Sequence, residues 1–128
     1  MSIQSGKVFW TELNARNLDS AKDFYGSLFG WQYEAMEIGE GIYWMAKQDG
    51  EPVVGMMNVD SIPGGENIPP NWFSYFSVSD MEKAIETVAS KGGNIVRAPW
   101  EIPGIGTIAI ISDSVGAVLG LVQPVATE

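Results

Sequence analysis

The chain repeats itself, and no other feature limits its fold as strongly. Asn17 to Gly30 reads NLDSAKDFYGSLFG, and Asp80 to Gly93 reads DMEKAIETVASKGG. At one constant offset Asn17 falls on Asp80, Leu18 on Met81, Ala21 on Ala84 and Gly30 on Gly93. Further on, VGMMN (Val54 to Asn58) falls on LGLVQ (Leu119 to Gln123). Asn17 and Asp80 have side chains that accept from the first free N–H groups of a helix. Leu18, Ala21, Tyr25 and Leu28, like Met81, Ala84, Ile85 and Val88, follow helical spacing. Gly30 and Gly92-Gly93 are the stops. Each helix follows an alternating strand, VFWTELNA or WFSYFSVS, and precedes three more strand-like stretches.

The halves are therefore two copies of strand–helix–strand–strand–strand. The expected fold class is α+β, two βαβββ modules in tandem, covering about residues 7–58 and 71–124. Between them VDSIPGGENIPPN, about 59–70, reads as an exposed linker because of its Pro and Gly. Four strands with one helix cover only one face of a sheet. The other face must meet the second copy, a partner subunit or a ligand.

Composition removes most familiar chemistries. Histidine and cysteine are both absent. No Ser–His–Asp triad, Cys–His pair, thiolate nucleophile or zinc–cysteine site can be assembled. The commonest nitrogen ligand of transition metals is missing too. Sixteen acidic against seven basic residues give a net charge of -9. Nucleic acid and anionic lipid are not expected partners of such a surface, whereas a cationic ligand is. No apolar run is long enough for a membrane helix, and MSIQSGK lacks a signal-peptide core. A cytoplasmic location is expected.

The stretch VFWTELNARNLDSAKDFYGSLFGW resembles the opening of a vicinal oxygen chelate domain, the superfamily of glyoxalase I, bleomycin-resistance proteins and extradiol dioxygenases. Asn17 stands in the place of the usual Asp. FSVSDMEKAIETVASKGG and the ending ISDSVGAVLGL are similar to the second module. The resemblance implies a cleft between curved mixed sheets, within one chain or across a homodimer. It also places metal ligands on the first and last strand of each module. Here those positions are Trp10, Phe73, Gly55 and Gly120. None has a side chain that can hold a divalent metal. Metal-dependent glyoxalase or dioxygenase activity is therefore not expected, and neither is a metal or another cofactor.

Strand alternation proposes the lining: Trp10 and Glu12 from the first strand, Phe73, Tyr75 and Ser77 from the fifth. Gly55 with Met57, and Gly120 with Val118 and Val122, form the floor, and either Tyr43 or Trp44 joins them. Trp100, in the punctuated segment PWEIPGIG, could reach over the mouth. Aromatic walls suit a small, flat organic ligand, and Glu12 beside Trp10 suits a cation. The leading expectation is a metal-free binding module for such a molecule, with Trp10, Glu12, Gly55, Met57, Phe73, Tyr75 and Gly120 as ligand-binding residues. A second is an enzyme of lyase or isomerase type, with Glu12 moving a proton and Tyr75 as donor. A third is an interaction protein with a filled cleft, whose exposed sheet edge or apolar patch mediates dimerisation; separately, a pairing of Glu12 with Arg97 or Lys47 would make that carboxylate structural.

Overall fold

A computed structural model describes residues 5–37, 41–61 and 67–125. The elements follow the repeat. The first module contains β1 (Val8–Ala15), α1 (Leu18–Phe29), β2 (Gln32–Glu37), β3 (Ile42–Gln48) and β4 (Glu51–Asn58). The second contains β5 (Asn71–Ser77), α2 (Met81–Ser90), β6 (Asn94–Ile102), β7 (Gly106–Ser112) and β8 (Val118–Pro124). The fold is α+β, with tandem βαβββ modules as the repeat requires. In each, the first strand pairs in parallel with the last: β1 with β4, and β5 with β8. The remaining neighbours are antiparallel, giving the orders β2-β3-β4-β1 and β5-β8-β7-β6.

By contacts the chain divides into two compact units, Thr11–Phe73 and Met1–Trp10 with Ser74–Glu128. Gly6 and Lys7 thus belong with the second module. The Gly6 N–H donates to the Ser77 carbonyl at 2.7 Å, and the Ser77 N–H to the Lys7 carbonyl at 2.9 Å.

Both helices are capped as their sequences require. The Asn17 side chain accepts from the Ser20 N–H at 3.3 Å, and Asn17 itself is left-handed, at φ 51°. Asp80 accepts from the Lys83 N–H at 3.2 Å. Gly30, at φ 78°, closes α1 through its N–H to the Gly26 carbonyl, a conformation that costs other residues more. α2 ends on Lys91, just ahead of the glycine pair.

Each helix covers one face of its own sheet. Leu13, Ala15, Leu18 and Met56 are buried under α1, with Ala21, Tyr25, Trp31, Tyr33 and Trp44 packed against them. Met81, Ala109, Ile111 and Leu121 form the equivalent core under α2. Leu28 departs from the expected stripe and is 59% exposed. That end of the α1 core is closed instead by Tyr25 and Trp31, stacked with ring centroids 5.6 Å apart. The expected linker also departs at its start. Val59 begins a short 3-10 turn and is fully buried, while Asp60 bonds Arg16 at 2.9 Å. A branched apolar side chain at the end of β4 gains more from burial than from marking a loop.

Tyr33 gives the first module a pH-dependent element. Its hydroxyl donates to the Lys22 carbonyl at 2.9 Å, and burial raises its pKa above the usual 10.0. Between the unfolded and folded pKa values the folded state holds the extra proton. Stability is therefore present below pH 10 and is lost as pH rises through the folded value. Unfolding midpoints measured at about pH 8 and about pH 10.5 should show a smaller drop in Tyr33→Phe than in the parent.

Candidate functional site

In each module the face opposite the helix collects the side chains that could meet a ligand. On β1 alternation puts Trp10, Glu12 and Asn14 on that face, since Leu13 and Ala15 lie under α1. Strand pairing extends the face sideways. Glu12 lies beside Gly55, which lies beside Met45 and then Glu34. In the next row Asn14 lies beside Met57 and then Tyr43. Tyr43, rather than Trp44, belongs to this face; Trp44 packs into the α1 core, where Lys22 lies 3.3 Å over its ring. The Tyr43 ring leans diagonally, so that a Cβ built on Gly55 would fall within its hydroxyl end.

Burial on this face is unusual for its chemistry. Glu12 is 4% exposed, Asn14 7% and Met57 6%. Carboxylates and amides leave water only at a cost unless hydrogen-bonded, of the order of 1–3 kcal/mol for a neutral group. The Asn14 Oδ1 has no hydrogen-bond partner among the described residues. Lys47, considered from sequence as a partner for Glu12, ion-pairs with Glu34.

The second module repeats the arrangement. Tyr75 lies beside Gly120, then Ile110, then Arg97. Its ring covers Gly120 so closely that a Cβ there would meet Cδ1, Cε1 and Cγ. The following row runs Ser77, Val122, Ile108, Trp100. Trp100 is thus a residue of β6 rather than of a loop. The register shift between Arg97 and Trp100 brings the two onto one face, where the guanidinium stacks 3.7 Å over the indole. The repeat thus places a tyrosine over a glycine twice, from β3 in one module and from β5 in the other. Phe73 is buried and shares its strand face with Tyr75 and Ser77.

Of the expected residues, Glu12, Gly55 and Met57 come together in the first module, and Tyr75 and Gly120 in the second. Trp10 and Phe73 lie on the same strand faces as Glu12 and Tyr75 respectively. Asn14 and the Arg97–Trp100 stack were missed. Asn14 was within reach of the same alternation that selected Glu12. The stack depended on that register shift in β6, which leaves no simple periodicity.

Each module has a surface groove on its own helix-bearing side. One of about 370 Å³ is bordered by Asn17, Asp19, Trp44 and Asn58, and one of about 820 Å³ by Asp80, Glu82, Glu86 and Gln123. Gln123 serves the fold there, accepting from the Met81 N–H at 2.7 Å. Glu12 and Asn14 are buried on the helix-free face of the first module instead.

Comparison with known proteins gives this geometry its family. The model of the Glyoxalase/Bleomycin resistance protein/Dioxygenase superfamily matches residues 7–120. The chain belongs to that superfamily. It is 34% identical over 123 residues to the "Putative glyoxylase CFP32" of Mycobacterium tuberculosis (strain CDC 1551 / Oshkosh), covering 94% of this chain and 46% of that protein. It is 28% identical over 123 residues to the anthracycline biosynthesis protein DnrV of Streptomyces peucetius, covering 88% and 45%. The chain thus spans about half the length of these curated relatives. Among solved structures, methylmalonyl-CoA epimerase from Mycobacterium tuberculosis superposes with a TM-score of 0.65 at 17% identity, over 95% of this chain and 90% of that one. That likeness concerns the superfamily fold. Among the described residues of this member, no three His, Cys, Asp or Glu side chains come together as a metal-binding group, and no helix is long and apolar enough to cross a membrane.

Proposed function

We propose that this superfamily member is a metal-free module that binds a small, flat organic molecule on the helix-free faces of its sheets. One observation carries the reading: Tyr43 and Tyr75 occupy the space over Gly55 and Gly120, the positions where the resemblance puts metal ligands. Trp10 and Phe73 stand at the other two. A glycine and an aromatic hydrocarbon ring have no lone pair for a metal, and an indole only donates. A longer side chain at 55 or 120 would also collide with the tyrosine above it. The donor set therefore does not fit a divalent cation. The first module's face offers Tyr43 over Gly55 with Glu12 and Met57, and the second module's face offers Tyr75 over Gly120.

Two further features support a flat or cationic ligand. The net charge of -9 favours a cation, and Glu12 is a buried carboxylate on the face concerned. A relative is named for anthracycline biosynthesis, chemistry of flat polycyclic molecules. In this reading the working unit is a cytoplasmic homodimer built from modules of about 7–58 and 71–124. It takes no cofactor and has no nucleic-acid or membrane partner.

The reading is tested by native mass spectrometry of the protein as purified, paired with elemental analysis. A metal-free species that carries additional organic mass is expected. A stoichiometric divalent metal that survives exhaustive chelation would remove the reading.

The burial of Glu12 favours one alternative, a metal-independent lyase or isomerase in which Glu12 transfers a proton and Tyr75 donates one. Glu12→Gln separates the two. The binding reading expects ligand affinity to fall by about tenfold or more, as one carboxyl oxygen is replaced by an amide NH2. Retained binding with turnover abolished would establish the enzyme instead.

A further inference from the structure

We propose that Asn14 selects the ligand, its side-chain oxygen accepting a hydrogen bond from a hydroxyl or amino group on the bound molecule; this rests on the binding reading above. Asn14 is more than nine-tenths buried, and its Oδ1 has no donor among the described residues. Folding ordinarily leaves no such group unpaired, because an amide oxygen gives up its water on burial. An acceptor kept in that state is matched when something supplies a donor.

The surroundings narrow what that something is. Asn14 sits next to Met57 in the sheet, with Tyr43 beyond it, so its immediate floor is thioether and ring. Glu12 is two residues earlier on the same strand face, about 7 Å away along the strand. The unpaired atom on that strand is the Asn14 amide oxygen, which accepts and does not donate. A carboxylate or phosphate group has no hydrogen to give that oxygen. A planar molecule with an N–H or O–H at its edge would lie on the apolar floor and donate into Asn14. Sites built to bond a ligand's donor reject the analogue lacking it more strongly than apolar pockets reject a missing methylene.

The experiment uses the full chain and a set of flat probes: β-hydroxyanthraquinone, its O-methyl ether, β-aminoanthraquinone and anthraquinone-β-carboxylate. Binding is read by quenching of tryptophan fluorescence, at a pH that keeps the phenol neutral. The hydroxy or amino compound should bind at least tenfold tighter than the ether, which of the two is tighter showing whether O–H or N–H is preferred. Asn14→Leu should abolish that discrimination, whereas Asn14→Asp, which keeps an oxygen at the same place, should retain it. In the absence of any probe Asn14→Leu should be as stable as the parent or more so, since it removes an unpaired polar group.

Equal binding of hydroxy compound and ether, or preference for the carboxylate, would overturn the proposal and leave the binding reading standing. So would discrimination that survives in Asn14→Leu. A marked loss of stability in Asn14→Leu would show that the oxygen is already satisfied in the free protein, which also overturns it. Failure of all four probes to bind would overturn this assignment together with the proposal of a flat organic ligand.

Discussion

Gly120→Ala is expected to destabilise the protein by about 2–3 kcal/mol, and Gly55→Ala by clearly less, about 1 kcal/mol. Both glycines lie beneath a tyrosine, and both substitutions put a Cβ into occupied space. They differ in which part of the ring is struck. At Gly120 the new carbon meets Cδ1, Cε1 and Cγ of Tyr75, including the ring atom bonded to Cβ. That end of the ring moves only if χ1 leaves its well or the backbone shifts. At Gly55 the carbon meets the hydroxyl, Cζ and Cε2 of Tyr43, the far end, which a small rotation carries away. Denaturant unfolding of the single variants and of each glycine variant combined with removal of its tyrosine ring checks this. In a Tyr75→Ala background Gly120→Ala should cost little, giving a coupling energy of about 1–2 kcal/mol or more. Equal costs with and without the ring would mean that Tyr75 does not stand over Gly120, and the occupied-position argument for a metal-free face would fall with it.

Met56→Ala is expected to be the most damaging of the single changes, at about 2–5 kcal/mol. Met56 is fully buried beneath α1, beside Leu13, Ala15 and Leu18. Truncation removes the transfer energy of the lost atoms and leaves a cavity that Trp44 and Tyr25 are too rigid to fill. Met56→Leu, of similar volume, should cost less than about 1.5 kcal/mol. The neighbouring Met57 lies on the other face, beside Asn14. Met57→Ala should therefore alter ligand binding in a way that Met56→Leu does not. Urea midpoints and probe quenching measured on the three variants separate core from site. If Met56→Ala left stability unchanged, the assignment of the two faces would be wrong.

Those paired residues show where sequence reading stops. Adjacent methionines in VGMMN are alike in composition, and alternation says only that they point apart. Which one lies under the helix follows from the pairing of β4 with β1, where Leu13 is set beside Met56. Tyr43 and Trp44 posed the same question on β3, and the same register answers it.

The helices, their caps, the strand order along the chain and the doubling of the module were legible in the residues themselves. The signals behind them are local: a capping oxygen and the N–H it accepts from are three residues apart, and helical or strand periodicity is complete within a dozen. The absence of histidine and cysteine was likewise plain, and it had already restricted the chemistry. Tertiary structure alone decided that Tyr43 covers Gly55, that Trp100 lies in β6 under Arg97, that Val59 is buried and that Leu28 is not. It also left the oxygen of Asn14 without a donor among the described residues. Each of these depends on which distant strand lies alongside and on where a bulge shifts the register, and a one-residue slip would exchange the two faces of a strand.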